Sequence, residues 1–465
     1  MSDLNSSMTR RQFGFAFGAS TLAAAHTAMA APAAAPWMGP AVVKKVYMRK
    51  PVPTWPCPDL DVKQEIAGIE ARLAEVERKH PGLRLTGGEV LTAGEDISGR
   101  VRDLGDVDGI LVIDLTSGTS PLLEQLENVD IPTLLFTRPY SGWSYVDFAR
   151  WVQMGRRADL IASSEFGDLD PYMRIFQTIH HLRKSKVLMV APWFNRQEVD
   201  GYSKQFGVEI KRLGYQELRA AFEAADLGLA KREAEEFTRR ALRVVEPKPE
   251  EIVDAMRFYL GVKGILERER ANAITVDCLG GFRRGDLPAY PCVAWSKLND
   301  QGYYGVCEAD LHSTMTQLLV TSFCGRPGFV SDPVFDTSRN EILHAHCVSA
   351  TSLLGIGAPS LPYAIRSHME DNKGVSMQVM VPVGDTVTVG KFAGPKKFLL
   401  STGEVAGNVD SRRGCRTQFR TKVAGARKML VNFTGGLHRV VFYGDYAEPI
   451  EAMGRLMGFK VVREI

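Results

Sequence analysis

Apolar and polar residues change rhythm along this chain, and each rhythm predicts a different architecture. After a proline-rich entry (Pro51, Pro53, Pro56, Pro58), Ile66, Ile69, Leu73 and Val76 recur near helical spacing opposite a charged face, predicting a helix from about Val62 to Arg78. Short continuous apolar runs follow at Gly109–Asp114, Pro132–Phe136, Asp159–Ala162 and Lys186–Val190, separated by segments long enough for helices or loops. Uninterrupted apolar strands alternating with such segments predict a parallel sheet covered on both faces. The pattern resumes with a strand at Val208–Lys211 and charged helices from about Ala230 to Val244 and Glu250 to Arg270, broken by Glu246-Pro-Lys-Pro249. A buried strand at Ala273–Asp277, a strand end at Tyr303–Val306 and a helix from Ala309 to Phe323 complete this second unit.

The last section reads differently. Met377–Val381, Asp385–Val389, Lys397–Leu400, Met429–Asn432 and Arg439–Tyr443 are closely spaced β segments broken by glycine, predicting a mostly antiparallel sheet or barrel closed by a helix near Glu448–Met457. The expected fold class is α/β: two Rossmann-like α/β domains, 31–165 and 166–325, followed by a β-rich C-terminal domain, 326–465. No G-x-G-x-x-G follows any strand, so no dinucleotide cofactor is expected.

The N-terminus follows a targeting pattern. Thr9-Arg10-Arg11-Gln12-Phe13 precedes a Gly/Ala-rich apolar stretch to Ala25, and Ala28-Met29-Ala30 offers a small-x-small cleavage site. Residues 1 to about 30 are therefore expected to be a twin-arginine signal peptide, read by the twin-arginine export machinery. Cleavage makes the protein periplasmic or otherwise exported; without cleavage it stays tethered to the membrane.

Composition narrows the function classes. With 465 residues, 45% apolar and 24% charged, the chain is ordinary globular material for two or three domains. Its formal charge is only +3, and its basic runs (Lys396-Lys397, Arg412-Arg413) are short, which argues against a nucleic-acid partner. Seven cysteines (57, 278, 292, 307, 324, 347, 415) are scattered without C-x-x-C spacing, so they read as small buried hydrophobes; export permits a disulfide, but spacing names no pair.

The chemistry concentrates in the second half. Glu308 sits between small and apolar residues at a strand-to-helix corner, and Asp332 precedes Pro333, which disfavours helix and predicts a strand-end or loop acid. His346 ends a His-Ala-His run, and His438 follows Gly435-Gly436-Leu437 at the start of a strand. Asp310, His312, Asp336 and His344 are their nearest rivals. Oxygen and imidazole donors without clustered thiolates suit a divalent metal, Mn²⁺ first, and such an ion beside a carboxylate can support proton transfer on a small polyol or sugar. Trp295, Lys297, Tyr304 and His368 are polar or aromatic neighbours for which packing is as good a reading as substrate contact.

Cys292-Val-Ala-Trp295, Gly305-Val-Cys-Glu-Ala-Asp310, Gly-Phe-Val-Ser-Asp332, His344-Ala-His-Cys347, Asp385-Thr-Val-Thr-Val389 and Gly436-Leu-His438-Arg-Val, in this order, resemble the L-fucose and L-arabinose isomerase superfamily. The likeness covers about Ala271 to the C-terminus, and the earlier lobes in architecture only. It implies a metal-dependent aldose-ketose isomerase acting on a pentose or (deoxy)hexose through an enediol. Glu308 and Asp332 match its two catalytic, metal-binding acids, Asp332 in the fucose-isomerase form. His438 matches the C-terminal metal ligand and His346 the additional histidine of the arabinose branch. The resemblance also implies a homo-oligomer in which neighbouring subunits complete the cleft. Two other readings share these residues: an exported carbohydrate-binding protein without catalysis, and another metal-dependent sugar-modifying enzyme on the same scaffold.

Overall fold

A computed structural model describes residues 38–465 apart from 103 and 128; the expected export signal lies outside the described residues. Strands β1 (Ala41–Arg49), β2 (Leu83–Thr92), β3 (Gly109–Asp114), β4 (Thr133–Thr137) and β5 (Ala158–Ala162) form a parallel sheet ordered β2-β1-β3-β4-β5. β3 and β4 are buried along their whole length, as strands covered on both faces must be. The helix Val62–Lys79 opens where the Asp61 carboxylate accepts the amides of Lys63 and Gln64, and it buries Ile69, Leu73 and Val76. The polar loops after β3 and β4 knit to each other: Ser141 Oγ donates to Asp114 at 2.9 Å, and the Thr119 and Ser144 hydroxyls meet at 2.8 Å.

The chain then lays down β6 (Lys186–Val190), β7 (Glu209–Arg212), the two-residue β8 (Arg243–Val244), β9 (Ala273–Val276) and β10 (Tyr304–Cys307). All but β8 make a second parallel sheet ordered β10-β9-β6-β7. The expected helix to Val244 stops at Arg240 instead, because the backbone beyond it pairs elsewhere: Leu242 N donates to Tyr363 O and Val245 N to Ile365 O.

The C-terminal strands are β11 (Phe329–Asp336), β12 (Glu341–His346), β13 (Tyr363–Arg366), β14 (Ser376–Val379), β15 (Thr386–Phe392), β16 (Lys397–Asn408), β17 (Thr417–Lys422), β18 (Arg439–Tyr443) and β19 (Lys460–Arg463). Six of them run β15-β18-β11-β12-β17-β16, and β16 pairs back to β15, closing an antiparallel ring that β19 joins in parallel. β13, β14 and β8 form a separate small sheet. The expected strand at Met429–Asn432 lies instead in the helix Ala426–Val431 and the turn after it. Only Ala426 and Met429 of that helix are buried, three positions apart, and Asn340 Oδ1 receives the leading Ala426 amide at 3.0 Å.

Two cores flank the barrel wall. Phe329, Val389, Val405, Phe419 and Val441 fill its interior, while Val330, Phe392, Val440 and Phe442 on the other face pack with Leu311, Met315 and Leu318. The helix Leu311–Cys324 buries thirteen of its fourteen residues, so it is a central rod rather than an amphipathic surface helix. Thr316 Oγ1 on this rod accepts the Phe392 amide of β15 at 2.9 Å, fixing the helix against the barrel. No described helix is long and apolar enough to cross a membrane.

Candidate metal centre

The start of the rod and the rim of the barrel meet at one place. β10 ends at Cys307; Glu308 and Ala309 then take left-handed φ values of 63° and 51°, and Asp310 caps the rod by accepting the Ser313 amide at 3.0 Å. Two consecutive non-glycine residues in this region are costly, and such strain persists only where the surroundings enforce it. Its effect is to turn the chain sharply between strand and helix at Glu308, whose side chain remains about a third exposed.

Opposite Glu308 stand residues of the barrel. His346 is the last residue of β12, and His438 immediately precedes β18 after Gly435 and Gly436, both in the left-handed region that lets glycine turn the chain tightly. Among the described residues, Glu308, His346 and His438 are the group of three donors whose ligand atoms lie within 4.8 Å of one another. Glu308 Oε2 is 3.6 Å from His438 Nε2, and Glu308 Oε1 is 3.9 Å from His346 Nε2.

Asp332 stands beside this group rather than within it. Its Oδ1 lies 3.3 Å from His438 Nε2, as the strand pairing requires: Ser331 faces Arg439, so the next position on each strand sets Asp332 against His438. The acid is not at a strand end or in a loop, as Pro333 had led us to expect, but inside β11. Pro333 is tolerated there because the β18 ladder stops at Ser331, leaving that side of β11 without backbone partners to satisfy.

His438 is held in one orientation. Its Nδ1 lies 2.7 Å from Asp310 Oδ2, which fixes the ring and directs Nε2 toward Glu308 and Asp332. That Nε2 is buried and makes no hydrogen bond of acceptable geometry. An orphaned buried nitrogen facing two carboxylates fits a divalent cation. Without one, burial opposes protonation of the ring, but the contacts with Asp310 and Asp332 outweigh it and hold His438 up at about 10. Burial would likewise raise Asp310, yet His438 and Lys391 hold it well below the ordinary carboxylate range. Asp332 is lowered too, its burial outweighed by His438 and then His346.

His346 is less ready. Its Nδ1 accepts the Val348 amide at 3.3 Å, placing the ring proton on Nε2, the atom that faces Glu308. Ligation through that nitrogen requires the amide contact to be given up.

The rivals separate cleanly. His344 is enclosed between Ser331 Oγ (2.9 Å) and Thr421 Oγ1 (2.9 Å), and burial pushes it down to about 3, so it is a neutral structural residue. His312 bonds the Tyr202 hydroxyl at 2.7 Å, and Asp336 caps Ser338 on the surface. Asp310 is neither ligand nor bystander; it supports His438. Lys391, almost fully buried with its ammonium 2.8 Å from Asp310, was missed altogether, since a lysine in an apolar strand carries no local signal of a distant partner. Trp295 is wholly buried, Tyr304 bonds His181 and Lys297 pairs with Glu233, leaving His368 as the one of that set near the centre. A separate cleft of about 660 Å³, lined by Glu127, Arg156, Lys204 and Lys396 among others, lies elsewhere and includes none of these donors.

No family model matches the chain. It is similar to two curated proteins named sulfoquinovose isomerase, from Priestia aryabhattai and from Priestia megaterium (strain ATCC 12872 / QMB1551). Each is 20% identical over 217 residues, 45% of this chain and 48% of the relative. The matched region thus spans about half the length of these curated relatives, a distant likeness to sugar isomerases in general.

Proposed function

We propose that this protein is a metal-dependent aldose-ketose isomerase acting on an open-chain pentose or (deoxy)hexose through an enediol. The observation that carries the reading is the convergence of Glu308, His346 and His438, with the unpartnered Nε2 of His438 facing both Glu308 and Asp332. The likeness to sulfoquinovose isomerases supports the reaction class, and the resemblance of the ordered motifs to those of the fucose and arabinose isomerases supports the roles proposed for the individual residues.

Glu308, His346 and His438 would hold the ion, with Asp332 as a further oxygen donor. A bound divalent cation, Mn²⁺ by preference for this oxygen and imidazole set, supplies polarisation of the sugar's carbonyl and adjacent hydroxyl. Glu308, the more exposed of the two acids, takes the proton from C2, a carboxylate delivers a proton to C1, and the O2 hydroxyl proton passes to O1, so that the enediol collapses to the ketose. Asp310 keeps His438 oriented, and Lys391 keeps Asp310 charged. The same proposal includes export by the twin-arginine route, supported by the order of Arg10-Arg11, apolar run and Ala28-Met29-Ala30.

Purified protein loaded with Mn²⁺ and offered pentoses, hexoses, deoxyhexoses and sulfoquinovose should convert at least one of them to its ketose. Glu308→Gln and Asp332→Asn should each abolish that turnover and weaken metal retention. A protein that only binds sugar would retain its affinity in both variants and make no ketose.

A further inference from the structure

Five of the seven cysteines, far apart in sequence, line one small cavity of about 40 Å³ that is shared with Glu308, Asp332 and His346. Cys278, Cys292, Cys307 and Cys347 are buried, and Cys415 is partly exposed. They associate in twos. Cys278 lies against Cys307, and Cys347 lies against Cys415, with His368 beside Cys347. The topology explains both pairs. Val276 faces Cys307 across β9 and β10, with Cys278 two residues further on; His346 faces Thr417 across β12 and β17, so one step beyond brings Cys347 beside Arg416 and Cys415.

Soft-metal sites need three or four donors around one point, and among the described residues no such group includes a thiol. Cys347 and Cys415 lie just beyond the paired ends of β12 and β17, offset by one position across the end of that ladder and lining the same small cavity, an approach that a disulfide can close. Each pair also has one member bonded directly to a residue of the metal group: Cys307 precedes Glu308, and Cys347 follows His346.

We propose that Cys347 and Cys415 form a reversible thiol–disulfide exchange site, whose co-substrate is a low-molecular-weight disulfide and whose oxidation weakens the adjoining Glu308, His346 and His438 centre. The coupling rests on the metal-binding reading above; the exchange chemistry does not. Cys415, the accessible member, attacks an external disulfide RSSR, forming a mixed disulfide and releasing one RSH. Cys347 then attacks the Cys415 sulfur, forming the internal S–S bond and releasing the second RSH. Two thiols lose two hydrogens and two electrons, and RSSR gains them. Bond formation draws the sulfurs from contact to about 2.05 Å, which moves Cys347 and with it the adjoining His346.

The test uses the full chain, oxidised glutathione or dithiothreitol, and Mn²⁺ as the probe. After oxidation, peptide mass mapping should find Cys347 joined to Cys415, with a loss of two hydrogens that dithiothreitol reverses. Mn²⁺ affinity should fall at least tenfold on oxidation and recover on reduction. Cys415→Ser, at a partly exposed position, should bind Mn²⁺ as the reduced protein does and show no redox dependence. Cys347 and Cys415 remaining fully alkylatable after oxidation would overturn the exchange site. A mapped disulfide with unchanged Mn²⁺ affinity would overturn the coupling alone, whereas no Mn²⁺ binding by reduced protein would overturn the metal reading and the coupling together.

Discussion

At the scale of single residues, His438 sets the behaviour of the centre. Its folded-state value of about 10 lies above the ordinary 6.5, so in metal-free protein it contributes stability that is complete below pH 6.5 and is lost as pH rises toward 10. Thermal unfolding of the metal-free protein should therefore shift to lower temperature across that range, and His438→Gln should flatten the slope. In the proposed metal centre a cation and a proton would compete for the same nitrogen, so Mn²⁺ affinity should rise with pH by up to about tenfold per unit between pH 7 and 9. Isothermal titration at several pH values checks this; affinity independent of pH would mean that His438 is not a ligand. Residue chemistry was partly legible in the sequence. Glu308 stood at a strand-to-helix corner between small and apolar residues, and His438 stood after two glycines at the start of a strand, both local signals. The thiol cavity was not legible, because cysteines from 278 to 415 are brought together only by strand pairing.

At the scale of elements, one carboxylate at the start of the rod Leu311–Cys324 does three things. Asp310 caps the helix, orients His438 and neutralises the buried Lys391. Losing a cap costs about 1 kcal/mol, and leaving a buried charge unpaired costs about 3 to 5 kcal/mol. Asp310→Ala should therefore destabilise the metal-free protein by about 3 kcal/mol or more in urea denaturation; a loss below about 1 kcal/mol would show that Lys391 finds another partner. The strands of both parallel sheets and the rod could be read from apolar runs, because full burial leaves a continuous signal. The helix Ala426–Val431 could not, because its short run Met429-Leu-Val carries no helical period and Leu430 and Val431 are exposed. Arg243–Val244 became a strand through pairing with β13, whose residues lie some 120 positions away.

At the scale of the whole molecule, the chain's end is tied to the centre. Arg439, next to His438 and wholly buried, makes a two-pronged bond to Glu464 (3.0 and 2.7 Å) and donates also to the carbonyls of Thr434, Gly436 and His438. Removing one partner of such a buried pair costs about 3 to 5 kcal/mol. Glu464→Ala should lower stability by that order and reduce Mn²⁺ affinity, because the freed guanidinium holds the His438 carbonyl. A second tie, Arg455 to Asp159 at 2.9 Å through both oxygens, links the C-terminal helix to the first sheet. Neither tie was visible in the sequence, where each charge reads as a side chain turned to solvent.

Proton transfer at this centre is the step the proposed isomerisation requires, and solvent-hydrogen exchange reports on it directly. Aldoses of the panel incubated in D₂O with Mn²⁺-loaded protein and followed by NMR should gain deuterium as they isomerise, with Glu308→Gln reducing the rate by at least a hundredfold. Ketose formation and deuterium uptake undiminished in Glu308→Gln, or neither ketose formation nor exchange by the wild-type protein with any sugar of the panel, would contradict it.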